Sequence, residues 1–171
     1  MSVQTAYTKN IDNAYPGLIS YDFGTLDSVS MNAAGEIPFG VFCQRDATSG
    51  DEGRVLVGVT TGAGIARLAG ISGRSMINQN AVNSGFPVSG NAKATSYAEG
   101  EMAQIVVQGY VWMTATGGAI ATGAAVEADG TTGALVNTGG IVVPGASVVQ
   151  GAAQDGLALV RFNHIHAATN A

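Results

Sequence analysis

Short apolar runs, separated by clusters of Gly, Asp and Ser, follow one another along most of this chain. The runs are rich in Val, Ile, Phe and Thr, and pairs such as Asp129-Gly130 and Asp155-Gly156 stand between them. Asp-Gly pairs suit tight hairpins because Gly adopts a positive φ without steric cost. No segment of ten or more residues holds an apolar stripe with the 3.6-residue period of a helix. The pattern therefore predicts an all-β protein, a small β-barrel or sandwich.

The strands predicted from this punctuation are short and regularly spaced, and they cover residues 18–23, 37–44, 54–60, 66–72, 102–114, 124–128, 134–137, 146–150 and 157–162. They divide the chain into an extended N-terminal arm at 1–16, a β-barrel-like domain at 17–163 and a C-terminal tail at 164–171. Within the domain, 73–98 is polar and rich in Asn and Ser, which predicts a long loop excursion that makes contacts.

The arm is polar and lacks a helical stripe, yet it carries spaced apolar side chains. Tyr7, Ile11 and Tyr15 are anchors that a purely solvated tail would not need, and Pro16 begins the turn that starts the domain. We predict that these four residues form an interface with a neighbouring subunit. The alternative interpretation is a frayed terminus.

Charge is scarce and slightly negative. Charged residues make up 11% of the 171-residue chain, against about 25% in an ordinary soluble domain. With seven Lys and Arg residues and a net charge of −5, no basic stripe exists to neutralise phosphates, so nucleic-acid binding is disfavoured. No run reaches the roughly 18 apolar residues of a membrane span, and the N-terminus lacks the layout of a signal peptide, so we expect synthesis in a cytoplasm.

Residues that could carry chemistry are few and poorly placed. His164 and His166 are the two histidines, and they would share one face of a strand, but no third ligand stands beside them. Cys43 lies in an apolar run with no base nearby, which predicts a buried, unreactive thiol. Glu99 and Glu101 share one turn, whereas a glycosidase draws its carboxylates from different elements. We therefore predict no catalytic, metal or cofactor site, and a protein that is not an enzyme.

An aromatic face is predicted at residues 110–113, where Tyr110 and Trp112 alternate with Val111 and Met113. Core packing of the two aromatic rings is the preferred interpretation. An exposed aromatic face would instead indicate a sugar platform or a subunit contact.

A resemblance is carried by seven pieces of sequence in a fixed order, which are QTAYT at 4–8, AYPGLI at 14–19, GEIPFGVF at 35–42, LAGIS at 68–72, YAEGEMAQI at 97–105, GYVWM at 109–113 and GLALVRF at 156–162. In this order they resemble the structural cement, or capsid decoration, proteins of bacteriophages. The chain departs from that family's Gly-Asp-Pro turn, since it has Gly100, Glu101 and Met102, and its 73–98 excursion is longer.

The resemblance implies a function without catalysis. It implies a β-barrel-like subunit that forms a homotrimer on the outer capsid surface and clamps neighbouring major capsid subunits. The expected location is then the virion, after synthesis in the bacterial host cytoplasm, with the major capsid protein and copies of itself as partners. The alternative is a carbohydrate- or receptor-binding β-module of a tail or another part of the virion.

Overall fold

The computed structural model describes residues 16–20, 26–46, 53–59, 67–74 and 96–163, and it is all-β, as the sequence predicts. Its strands in chain order are β1 (Ile19–Ser20), β2 (Asp27–Ala33), β3 (Ile37–Pro38), β4 (Phe42–Arg45), β5 (Arg54–Val57), β6 (Leu68–Ser72), β7 (Ser96–Tyr97), β8 (Met102–Thr116), β9 (Ala125–Ala128), β10 (Leu135–Val136), β11 (Ile141–Gln150) and β12 (Leu157–Asn163).

The long strand β8 organises the fold, which contains a closed five-stranded barrel with additional strands. The strand pairings close two circuits of five strands on β8. The N-terminal circuit runs β8–β2–β5–β4–β6 and closes where Ile71 pairs with Val106. The C-terminal circuit runs β8–β12–β11–β9–β10 and closes where Leu135 pairs with Ala115. Closure leaves few unpaired strand edges, which would otherwise invite aggregation.

Two clusters of buried apolar side chains form the core, and β8 contributes to both of them. Ala103 and Ile105 from its first half join the cluster of the N-terminal circuit. Val111, Met113 and Ala115 from its second half join the other cluster. This alternation of inward and outward residues is the period-two pattern of a strand with one buried face.

A loop from the C-terminal circuit ties the two circuits together. The Asp129 carboxylate accepts hydrogen bonds from the backbone N–H groups of Thr131 and Thr132 and from the Thr132 hydroxyl. The loop then reaches the other circuit, because the Phe42 N–H donates to the Gly133 carbonyl at 2.8 Å. These hydrogen bonds hold the pKa of Asp129 below its usual value, with the Thr132 N–H as the largest cause.

Several predicted strands differ from the observed ones, and β11, predicted at 146–150, starts at Ile141. β2 was not predicted, and the predicted strand 37–44 is broken between Pro38 and Phe42, where Gly40 has a φ of +72°. At the end of the predicted 73–98 excursion, Ser96–Tyr97 forms β7 and pairs with β3. Tyr97 is buried there, and its hydroxyl donates to the Gly73 carbonyl at 2.6 Å. Residues 75–95 and the tail at 164–171 lie outside the described residues.

Candidate interaction surface at the root of the N-terminal segment

The N-terminal segment is joined to the body at residues 16–20, here called the root. The Gly17 N–H donates to the Trp112 carbonyl at 2.8 Å, and the Trp112 N–H donates to the Leu18 carbonyl at 3.0 Å. On the other side, the Arg74 N–H donates to the Gly17 carbonyl at 2.7 Å. β1 then pairs antiparallel with β8 at Ile19 and Val111. The root is thus fixed to the middle of β8 by backbone hydrogen bonds.

The root crosses the break between β3 and β4 at very short range, and two glycines make the crossing possible. A Cβ added to Gly40 would meet the Gly17 nitrogen at 2.6 Å and the Trp112 carbonyl oxygen at 2.9 Å. Both glycines also have positive φ, +78° at Gly17 and +72° at Gly40. No side chain fits at either position without moving backbone atoms. Sequence reasoning did not single out Gly40, because only the fold brings it beside Gly17.

Ser72 lies beside the strand break under the root, and it is the one buried polar residue in the described part of the chain. Its hydroxyl donates to the Pro38 carbonyl at 2.6 Å and accepts from the Val41 N–H at 3.0 Å. These bonds fix the strand break that Gly40 occupies. The Arg74 guanidinium lies over the Phe39 ring at 5.5 Å, a cation–π arrangement that covers the same break.

An aromatic face lies beside the root, on the outside of the C-terminal circuit. Val111 and Met113 are fully buried in the core, so Tyr110 and Trp112 point outward and are partly buried. The prediction that the aromatic rings pack in the core is therefore wrong. The inward positions of this half of β8 are taken by Val111, Met113 and Ala115, which pack with Phe162 and Phe42 in the same core cluster.

The outer face around these rings combines apolar and charged groups. Tyr110 pairs with the exposed Arg161 of β12, and Trp112 pairs with Leu159, which is only 2% exposed although it lies on the outer face. Trp, Tyr and Arg are the residue types that contribute most to binding energy at protein interfaces. The root and this face together form the candidate interaction surface.

The predicted interface residues are only partly within the described chain. Pro16 is half-buried beside Gly40, whose added Cβ would meet the Pro16 carbonyl carbon at 3.2 Å. Tyr7, Ile11 and Tyr15 lie outside the described residues, so their role stays a prediction.

Candidate chemical groups are scattered. Cys43 is buried, and desolvation raises the pKa of its thiol to about 12, so it is a poor nucleophile. Glu99 is exposed, and Glu101 accepts a hydrogen bond from the Ala98 N–H. Within the described ranges, no three His, Cys, Asp or Glu side chains come together as a metal site. His164 and His166 lie outside those ranges. The described part of the chain also contains no helix that is long and apolar enough to cross a membrane.

Comparison with known protein families gives a match over nearly the whole chain. Residues 3–163 match the family described as "Structural cement protein (E217 gp24/Pam3 gp6)". The chain belongs to this family. It is therefore a structural protein of the phage virion, as the sequence resemblance implies, and its location is the capsid.

One solved structure agrees at the level of the fold. A chain from "The capsid of Myoviridae Phage XM1" is similar to this one with a TM-score of 0.63 and 17% identity, over 95% of this chain and 98% of that one. A more distant similarity, with a TM-score of 0.43 and 13% identity, is to "The crystal structure of head fiber gp8.5 N base in bacteriophage phi29", over 82% of this chain and 96% of that one. No curated protein matches the sequence.

Proposed function

We propose that this cement protein binds the outer surface of the capsid as a homotrimer and clamps neighbouring major capsid subunits. In this proposal, residues 1–16 form an arm that docks on a neighbouring subunit through Tyr7, Ile11, Tyr15 and Pro16. Synthesis takes place in the bacterial host cytoplasm, and the protein acts without catalysis, cofactor, nucleic acid or membrane.

The observation that carries the proposal is the rigid root. Three backbone hydrogen bonds to Trp112 and Arg74 fix where Pro16 stands on the body. A segment that starts from a fixed point loses less conformational entropy when it docks, so more of its contact energy appears as affinity. Two tyrosine anchors are then enough to hold the arm on a neighbouring subunit, because burying one aromatic side chain contributes about 1.5–3 kcal/mol, or roughly tenfold or more in affinity.

The lattice of a shell strengthens such contacts further. A clamp that touches two capsid subunits gains from effective concentration, because the second contact is made within an existing complex. The low charge of the chain also suits extended contacts, since interface cores are depleted in charged residues.

The test compares the intact protein with a variant that lacks residues 1–15 and keeps the root. Because the described barrel strands begin at Ile19, the truncated protein should unfold at nearly the same temperature as the intact one. Its affinity for shells that lack the protein should fall by about a hundredfold if both tyrosines are anchors. A truncated protein that unfolds early, while its folded fraction binds shells normally, would show that the arm belongs to the barrel.

The alternative, a carbohydrate- or receptor-binding module, is favoured by one observation, the outward position of Tyr110 and Trp112. Sugar rings stack on such faces. Trp112→Ala should abolish sugar binding if this alternative is correct, whereas it should weaken shell binding if the face contacts the capsid. A glycan array with the intact protein separates the two.

A further inference from the structure

Two Asp-Gly pairs occur in the chain, Asp129-Gly130 and Asp155-Gly156, and both lie in turns of the C-terminal circuit. An aspartyl residue before a glycine is open to a slow covalent reaction, because glycine has no side chain to shield its backbone nitrogen from the neighbouring carboxyl group. The two pairs are chemically the same in sequence. The structure gives them different surroundings, and the surroundings decide which pair reacts.

Asp155 lies in the exposed turn between β11 and β12. The Gly156 N–H donates to the Ala153 carbonyl at 3.0 Å and closes the turn, and residues 153–155 are exposed. Asp155 has a φ of 61°, and it is the one non-glycine residue with a positive φ in the described part of the chain. This conformation is unfavourable for an L-residue, so rotation away from it costs less. Among the described residues, no hydrogen bond or ion pair holds the Asp155 carboxylate.

Asp129 is held by its side chain and by its backbone. Its carboxylate accepts the three hydrogen bonds from Thr131 and Thr132 described above. These bonds lower the pKa of the carboxyl group, chiefly through the Thr132 N–H, so less of it is in the neutral form that can lose a hydroxyl group. The next peptide group is fixed to the other circuit, because the Val59 N–H donates to the Gly130 carbonyl at 3.1 Å.

We propose that Asp155 of the folded protein converts slowly to isoaspartate, whereas Asp129 is protected. The Gly156 nitrogen attacks the side-chain carboxyl carbon Cγ of Asp155, and an N–Cγ bond forms. The Cγ–OH bond of the neutral carboxyl group breaks, and the hydroxyl group leaves with the proton of the nitrogen as one water molecule. The product is a five-membered succinimide ring.

Water then opens the ring in one of two ways. Addition at Cγ breaks the N–Cγ bond and restores aspartate. Addition at the backbone carbonyl carbon of Asp155 breaks its bond to the Gly156 nitrogen, so the main chain then runs through Cβ and Cγ and the former backbone carbonyl becomes a carboxylate. One water leaves and one returns, so the reaction is an isomerisation that needs no oxidant, reductant or other reagent.

Ring closure requires rotation about the Cα–C bond of Asp155. The rotation releases the Gly156 N–H from the Ala153 carbonyl, and the freed N–H can bond to water because the turn is exposed. It also disturbs the bond from the Ala115 N–H to the Gly156 carbonyl, at 2.9 Å. The same rotation at Asp129 must in addition release its carboxylate from three donors, so isomerisation there should be slower by roughly tenfold or more.

The modification would change the entry to β12. The Asp155 N–H donates to the Ala115 carbonyl at 2.8 Å, and the Ala115 N–H donates to the Gly156 carbonyl. Isoaspartate inserts one extra main-chain carbon between these two contacts, so both cannot keep their present geometry. This inference goes beyond the proposed function and does not depend on it.

The test is ageing of the full-length folded protein at neutral pH and 37 °C for several weeks, followed by digestion with an endoprotease that cleaves before aspartate but not before isoaspartate. Isoaspartate at 155 leaves the fragment 129–171 uncut, whereas isoaspartate at 129 leaves 51–154 uncut. Mass spectrometry should show that fragment 129–171 accumulates with time, and that fragment 51–154 forms roughly tenfold more slowly or not at all.

Two controls separate the effect of structure from that of sequence. In protein kept unfolded in guanidinium chloride, both sites should react at similar rates, because both are Asp-Gly pairs. Thr132→Val removes one donor to the Asp129 carboxylate, so it should speed the reaction at Asp129 and leave the rate at Asp155 unchanged. Equal rates at the two sites of the folded protein, or no isoaspartate at Asp155, would overturn the proposal.

Discussion

Replacing Gly40 by alanine should loosen the root of the N-terminal segment, because two separate costs fall on this position. The φ of +72° is left-handed, and an alanine there costs about 1 kcal/mol or more in the free energy of unfolding. The new Cβ would also stand 2.6 Å from the Gly17 nitrogen and 2.9 Å from the Trp112 oxygen. Both are backbone atoms that can move only if the root moves, and overpacking of this kind costs about 1–3 kcal/mol. The total is about 2–4 kcal/mol.

Gly117 separates the two costs. Its φ is also +72°, but an added Cβ would meet nothing within 4 Å. Gly117→Ala therefore measures the conformational cost alone, and the difference between the two variants measures the close approach at the root. Urea unfolding gives both free energies, and fluorescence of Trp112, the only tryptophan, reports displacement of the root in the folded state. If Gly40→Ala destabilises no more than Gly117→Ala and leaves the fluorescence unchanged, the crossing is not the constraint described above.

Three further results are expected. Changing His164 and His166 to Ala together should leave shell binding nearly unchanged, since both fall in the predicted C-terminal tail and substitutions in such segments usually cost within about 0.5 kcal/mol; a binding titration that loses affinity, or metal found in the purified protein, would contradict this. Asp129→Asn should lower stability above pH 4, because the lowered pKa of Asp129 contributes stability above its unfolded value, and that contribution disappears as the pH falls through the folded value. The difference between the two proteins in thermal unfolding should therefore shrink in acid, and a difference that does not shrink as the pH falls would point to another cause. Cys43 should react with a thiol reagent only after unfolding, and rapid labelling of the native protein would show that the thiol is accessible.

Strands with strong alternation could be predicted almost to the residue. β8 was predicted at 102–114 and extends to Thr116, and β12 was predicted at 157–162 and extends to Asn163. β2 was missed although residues 28–33 alternate polar and apolar side chains, because this run has few of the Val, Ile and Phe residues by which the other strands were predicted.

Breaks inside strands could not be predicted, because they depend on contacts with residues that are distant in the sequence. The predicted strand 37–44 bends at Gly40 because the root crosses there. β11 was predicted only at 146–150, yet the strand starts at Ile141 and runs through Pro144. Its pairing with β9 is irregular between Val142 and Ser147, which accommodates a proline that lacks an N–H donor.

The candidate surface was the least predictable part. The spacing of Tyr110 and Trp112 correctly indicated that the two rings share one face, but spacing cannot say whether that face is inside or outside. The answer depended on which face of β8 is enclosed, and only the closed circuit of strands defines that. The family, in contrast, followed from the order of short motifs along the chain, and the match over residues 3–163 confirms it.

The central claim, that this protein reinforces a phage capsid by binding its outer surface, is tested most directly by electron microscopy of shells that lack the protein and are then mixed with it. The account predicts density at regular surface positions that saturates at a fixed number of copies, with each copy touching more than one major capsid subunit. Absence of density, or density confined to a tail or to a single vertex, would contradict it.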